Sequence, residues 1–254
     1  MRLLSSVLPT VLELRWNAYR GRLNLFYRLE SLATIKSSAD RPFLLFEDQR
    51  HTYAQTYDRV LRYGNWLKTR MGVEKGQIVA LDFQNTDQFV FLFMALWAIG
   101  AKPAFINYNL TGPPLVHCIK KATTKLMLFS PDVAEQVTDD VRREFADVRF
   151  EMFGPGLEAE ATAMDPVRFP DELRGDETEE AMAVLIYTSG TTGLPKAAIV
   201  SWAKVAVAAG FTSRFIGMKP SDVFYVVSVI IPSLTSSCCW LGSLHFQLSA
   251  RKSS

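Results

Sequence analysis

The chain predicts an α/β fold of open, mostly parallel sheets flanked by helices. Three observations carry that expectation. Short β-type apolar runs alternate with helix-length segments from residue 43 to residue 215. One helical segment holds eleven consecutive apolar residues, 89–99, too few to cross a bilayer and apolar on every side. Such a helix belongs against a buried parallel sheet. The breakers Gly72, Gly76, Gly100, Pro113 and Pro131 stand at the joints between segments.

Taken in order, residues 43–46 read as a strand with 47–50 as its turn. Thr52 then N-caps a helix in which Tyr53, Tyr57, Val60, Leu61 and Leu67 share one face. A βαβ unit follows: strand 78–83, helix 86–99, Gly100 as the helix stop and strand 104–106. Pro113 starts a helix through residue 121, and 126–129 is a strand. Pro131 opens a helix through residue 145, and 148–153 is the next strand. Residues 158–180 carry nine carboxylates against Arg168 and Arg174, which reads as a solvated loop and not a metal site. Residues 197–200 form a strand and 202–215 a helix.

The most informative stretch is Leu185-Ile186-Tyr187-Thr188-Ser189-Gly190-Thr191-Thr192-Gly193-Leu194-Pro195-Lys196. An apolar strand delivers the chain into four hydroxyl residues and two glycines, closed by a proline and a lysine. Glycines let backbone N–H groups approach phosphate oxygens, hydroxyls donate further hydrogen bonds, and the lysine adds a point charge. The loop is not the GxxxxGK[ST] type, which needs glycine at Pro195 and a hydroxyl at Ala197. It also lies between two strands, whereas the common phosphate loop joins a strand to a helix.

This string resembles the phosphate-binding motif of the adenylate-forming superfamily, which includes acyl-CoA synthetases, peptide-synthetase adenylation domains and luciferases. The resemblance implies that the chain is a partial amino-terminal domain of an adenylate-forming enzyme. In that family a carboxylate attacks the α-phosphorus of ATP, giving an acyl-adenylate and pyrophosphate. By position, Tyr187, Thr188, Ser189, Gly190, Thr191, Thr192, Gly193 and Lys196 are the implied nucleotide-binding residues. The resemblance gives Lys196 the catalytic role of neutralising the departing pyrophosphate. No residue of the loop is a nucleophile. Phe105-Ile106-Asn107-Tyr108-Asn109-Leu110-Thr111-Gly112, followed by Leu115-Val116-His117-Cys118-Ile119, is similar to the fatty acid transport protein and very-long-chain acyl-CoA synthetase branch. That branch implies a fatty acid substrate, with ATP, Mg²⁺ and coenzyme A as cofactor and co-substrates.

Composition bounds the remaining possibilities. A net charge of +2 argues against bulk nucleic-acid binding. Three cysteines without CxxC spacing favour a reducing, intracellular compartment and support neither a disulfide scaffold nor a zinc site. Residues 1–36 form a basic amphipathic helical segment with six Arg/Lys against two Glu. Either a peripheral membrane contact or a plain docking helix accounts for it. A lipid substrate tilts the reading toward the surface of endoplasmic reticulum, peroxisome or lipid droplet. Residues 37–225 form the partial AMP-binding domain. Residues 226–254 read as a divergent tail produced by truncation or a faulty gene model.

The Pro-containing motif with histidine, the ribose-binding carboxylate and the carboxy-terminal lysine of the superfamily cannot be placed in the chain. The expectation is therefore a segment of an acid–thiol ligase that is inactive alone. The alternative is a non-catalytic nucleotide-binding or membrane-docking remnant of such an enzyme. His117 reads as a satisfied half-buried histidine rather than a general base. Trp66, Trp97, Trp202 and Trp240 read as packing residues, and Asn107 and Asn109 as a turn at a strand end.

Overall fold

A computed structural model describes residues 2–188, 193–226 and 245–248. Two sheets organise them. The larger has six strands: β3 (Ile78–Asp82), β4 (Lys102–Ile106), β5 (Leu126–Phe129), β6 (Arg149–Met152), β7 (Met182–Thr188) and β8 (Lys196–Ser201), in the order β6-β5-β3-β4-β7-β8. Every neighbouring pair is parallel except β7 with β8. The smaller sheet has the order β2-β1-β10-β9, from β1 (Pro42–Phe46), β2 (Gln49–Thr52), β9 (Val223–Val226) and β10 (His245–Leu248).

The larger sheet is covered on both faces, which is why its strands are apolar throughout. Along β3, Val79 and Leu81 join the core that contains α5 (Asp87–Ala98), while Ala80 joins the core on the opposite face. Leu115, Cys118 and Ile119 of α6 (Gly112–Ala122) fill that second core with Met127 and Phe129 of β5. All of residues 89–99 are buried, so the apolar run is core. Thr86 caps α5 by accepting from the Phe89 N–H at 3.2 Å. Gly100 ends it with φ +77°, and a Cβ there would meet the Leu173 carbonyl oxygen at 2.0 Å. Both the backbone angle and the space demand glycine.

The helix α4 (Tyr53–Thr69) starts with a full capping box, in which Thr52 and Gln55 satisfy each other's backbone N–H. Its expected face is buried at Tyr53, Val60, Leu61 and Leu67, with Tyr57 half-buried. The remaining helices are α1 (Arg2–Tyr19), α2 (Phe26–Thr34), α3 (Lys36–Ala39), α7 (Asp139–Arg143), α8 (Pro155–Ala163) and α9 (Trp202–Ile216). Trp66, Trp97 and Trp202 are buried packing residues, as the sequence predicts, and Trp202 abuts Trp97 with ring centroids 5.3 Å apart. Trp240 lies outside the described residues.

Three expectations need correction. Residues 47–50 are more than a turn, because β2 pairs antiparallel with β1 and Glu47 takes φ 51° to reverse the chain. The helix expected over 131–145 is broken into a 3₁₀ turn, Pro131–Gln136, and α7. Val137 departs from helical geometry with ψ 62°, and Thr138 then caps α7 by accepting from the Val141 N–H. The acidic stretch is not simply solvated. It contains α8, its Glu177 forms a buried ion pair with Lys102, and its Arg174 is fully buried.

Candidate functional site

The loop at issue is the tip of a β-hairpin. The strands β7 and β8 pair from Met182↔Ser201 to Thr188↔Lys196, so Thr188 and Lys196 are opposite each other at the last rung. Because β7 runs parallel to β4, its end at Tyr187 and Thr188 lies at the carboxyl edge of the sheet. Open α/β sheets bind their ligands at that edge. Ser189, Gly190, Thr191 and Thr192 lie outside the described residues. Gly193 is exposed with φ +82°, a backbone angle that favours glycine, and no atom of the described residues comes within 4 Å of where its Cβ would be.

Thr188 and Lys196 both expose their side chains at the loop's base. The Thr188 hydroxyl lies 3.5 Å from the Lys196 carbonyl oxygen, at the limit of a hydrogen bond. Among the described residues the Lys196 ammonium has no carboxylate partner. It is therefore open to an anion placed at the hairpin tip.

Tyr187 faces the other way. Its hydroxyl donates to the Cys118 carbonyl on α6 at 2.7 Å, and burial, with a smaller contribution from Cys118, pushes its pKa up. Its hydroxyl therefore braces the loop's entry limb against α6. The exit limb is held from the same helix, where His117 Nε2 lies 3.1 Å from the Pro195 carbonyl oxygen. Nothing in the sequence marks His117 as a partner of Pro195, since 78 positions separate them. Asn107 and Asn109 form the expected turn, with Asn107 Oδ1 accepting from the Asn109 N–H at 3.1 Å.

A second feature at the same edge escaped the sequence. Asp82 closes β3 with its side chain fully buried, and neither carboxyl oxygen has a hydrogen-bond partner among the described residues. Burial pushes its pKa up to about 7. The Cys118 thiol is pushed to about 12, by burial first and Asp82 second, which makes it a poor nucleophile. No group of three His, Cys, Asp or Glu side chains suited to a metal occurs among the described residues.

Residues 33–245 match the model of a family described as "AMP-binding enzyme". The chain is 33% identical over 210 residues to the very long-chain fatty acid transport protein of Saccharomyces cerevisiae, covering 78% of this chain and 30% of that protein. It is 32% identical over 223 residues to long-chain fatty acid transport protein 2 of Rattus norvegicus, covering 84% and 35% respectively. It thus spans about a third of the length of these curated relatives. Among solved structures, the Mycobacterium tuberculosis fatty acyl CoA synthetase superposes with a TM-score of 0.77 at 20% identity, over 92% of this chain and 46% of that one. The described architecture is that of the amino-terminal domain of adenylate-forming enzymes.

Proposed function

This chain belongs to the AMP-binding enzyme family, and on that premise we propose that its β7–β8 hairpin grips the polyphosphate of ATP while a long-chain or very-long-chain fatty acid is activated. The observation that carries the reading is the placement of Thr188 and Lys196 opposite each other at the carboxyl edge of the sheet. In the proposed reaction a carboxylate oxygen of the fatty acid bonds to the α-phosphorus and the bond to the bridging oxygen of pyrophosphate breaks. The thiol of coenzyme A then displaces AMP from the acyl carbon. Lys196 opposes the charge that builds on the leaving pyrophosphate, and Thr188 donates a hydroxyl to a phosphate oxygen. Ser189, Gly190, Thr191, Thr192 and Gly193 complete the cradle in this reading. Mg²⁺ suits phosphate oxygens and hydroxyls, so it would arrive on the nucleotide and supply charge neutralisation there.

Calorimetry with Mg·ATP tests the proposal on this chain. Binding is expected, and Lys196→Ala should weaken it roughly ten- to a hundredfold, the worth of one charge-assisted hydrogen bond. Absence of heat with the folded wild-type chain would sink the reading. Fatty-acid-dependent ATP–pyrophosphate exchange is expected only weakly or not at all, because near-attack geometry needs both substrates oriented.

A membrane contact has its own support in α1. Leu8, Val11, Leu12, Trp16 and Tyr19 are exposed on one side of this helix, where Arg15 is ion-paired to Glu179 at 2.9 Å. An exposed apolar helix face of this kind suits a lipid surface. No described helix is long and apolar enough to span one. Co-sedimentation with vesicles containing phosphatidylserine should fall severalfold for Leu12→Glu/Trp16→Glu, and equal binding by that variant would dismiss the contact.

A further inference from the structure

We propose that His117 is a positioning residue that sets the direction in which Lys196 leaves the phosphate hairpin. The inference rests on the nucleotide reading of that hairpin. A carbonyl oxygen can only accept, so the 3.1 Å contact requires the Nε2–H form of His117 donating to Pro195. Pro195 lies just outside the rung at Lys196, so none of the described β7–β8 pairs includes it. The proline ring fixes φ at Pro195. The hydrogen bond from His117 fixes the orientation of its carbonyl, which is its ψ. Together they orient the peptide plane that leads into Lys196, and with it the Cα–Cβ bond of the lysine.

The anchor is rigid enough for this purpose. Leu115, Cys118, Ile119 and Ala122 of α6 are all buried, which seats the helix on the sheet. Its Cys118 carbonyl receives the Tyr187 hydroxyl at 2.7 Å, so adjacent residues of one helix hold both limbs of the hairpin. The neighbouring Gly193 has φ +82°, and no described atom comes within 4 Å of where its Cβ would be. Among the described residues, His117 thus adds a side-chain contact to the exit limb just ahead of its rung at Lys196.

The test compares His117→Ala and His117→Gln, since the Gln amide nitrogen is four bonds from Cα, like Nε2 of histidine. In the ligand-free chain, amide hydrogen exchange across residues 193–198 should quicken at least threefold in His117→Ala and return toward wild type in His117→Gln. Mg·ATP affinity should fall roughly three- to tenfold in the alanine variant and recover with glutamine, the range expected for one hydrogen bond. If the alanine variant binds Mg·ATP like wild type, or glutamine is as weak as alanine, the positioning role is wrong. A fall in melting temperature without change in affinity or local exchange also overturns it. Failure of wild type itself to bind Mg·ATP removes the nucleotide reading and the positioning role together, and is recognised because it precedes any substitution.

Discussion

Asp82 places a carboxyl group where no described residue offers it a hydrogen-bond donor. Its folded-state pKa, about 7, stands above the ordinary aspartate value of 3.8, so the folded protein holds this proton more tightly than the unfolded chain. Its contribution to stability is therefore fully present below about pH 4 and is lost as the pH rises to about 7. Asn matches the protonated carboxyl in shape and carries no charge. Asp82→Asn should behave like wild type near pH 4 and be more stable by up to about 4 kcal/mol at pH 8. Urea melts of both proteins at the two pH values measure this, and a difference that does not grow with pH would contradict the buried, unpartnered carboxylate.

Among the elements, α4 shows how much of a helix local chemistry decides. Thr52 ends β2 and begins the helix, and its hydroxyl accepts from the Gln55 N–H at 3.2 Å while the Gln55 side chain accepts from the Thr52 N–H at 2.9 Å. Thr52→Ala leaves one of those donors unmet and should cost about 1 kcal/mol. Chemical denaturation reads the loss directly, and a change below about 0.3 kcal/mol would mean that tertiary packing alone holds the helix start. The helix α5 makes the complementary point. Its Thr86 cap and Gly100 stop are written in the sequence, yet the need for glycine is doubled by the Leu173 carbonyl, a neighbour supplied by the fold. The segment expected to be one helix after Pro131 lacks such agreement, because Val137 and Thr138 interrupt it with an internal cap.

At the scale of the molecule, the acidic stretch fastens the sheet to the helices around it. Glu177 pairs with Lys102 on β4, with side-chain exposures of 8% and 11%, and the Lys102 ammonium also lies 5.5 Å from the Trp202 ring centre. Arg174 lies over the Phe26 and Tyr27 rings of α2 and donates to the Ala98 carbonyl of α5 at 2.6 Å. Burial lowers its pKa from the usual arginine value. Removing one partner of a buried ion pair strands the other, so Lys102→Met should cost roughly 3–5 kcal/mol, and adding Glu177→Gln should recover much of it. Since Lys102 starts β4, at the opposite edge from the hairpin tip, Mg·ATP affinity should stay unchanged in the folded variant. Urea denaturation with calorimetry on the same samples decides both points, and a pair worth less than about 0.5 kcal/mol would place it among ordinary surface bridges.

By itself the sequence determined the α/β class, the β3-α5-β4 unit and the hydroxyl-rich loop between two strands. Each of these is encoded by neighbours along the chain: apolar period, caps and breakers act over a few residues. Only the tertiary structure decided that His117 meets Pro195, that Glu177 meets Lys102 and that β10 inserts beside β1. The first two contacts join residues 78 and 75 positions apart, and the chemistry of each partner suits many others equally well. What selects among them is the close packing of the sheet and its helices, which exists only once the whole domain has formed.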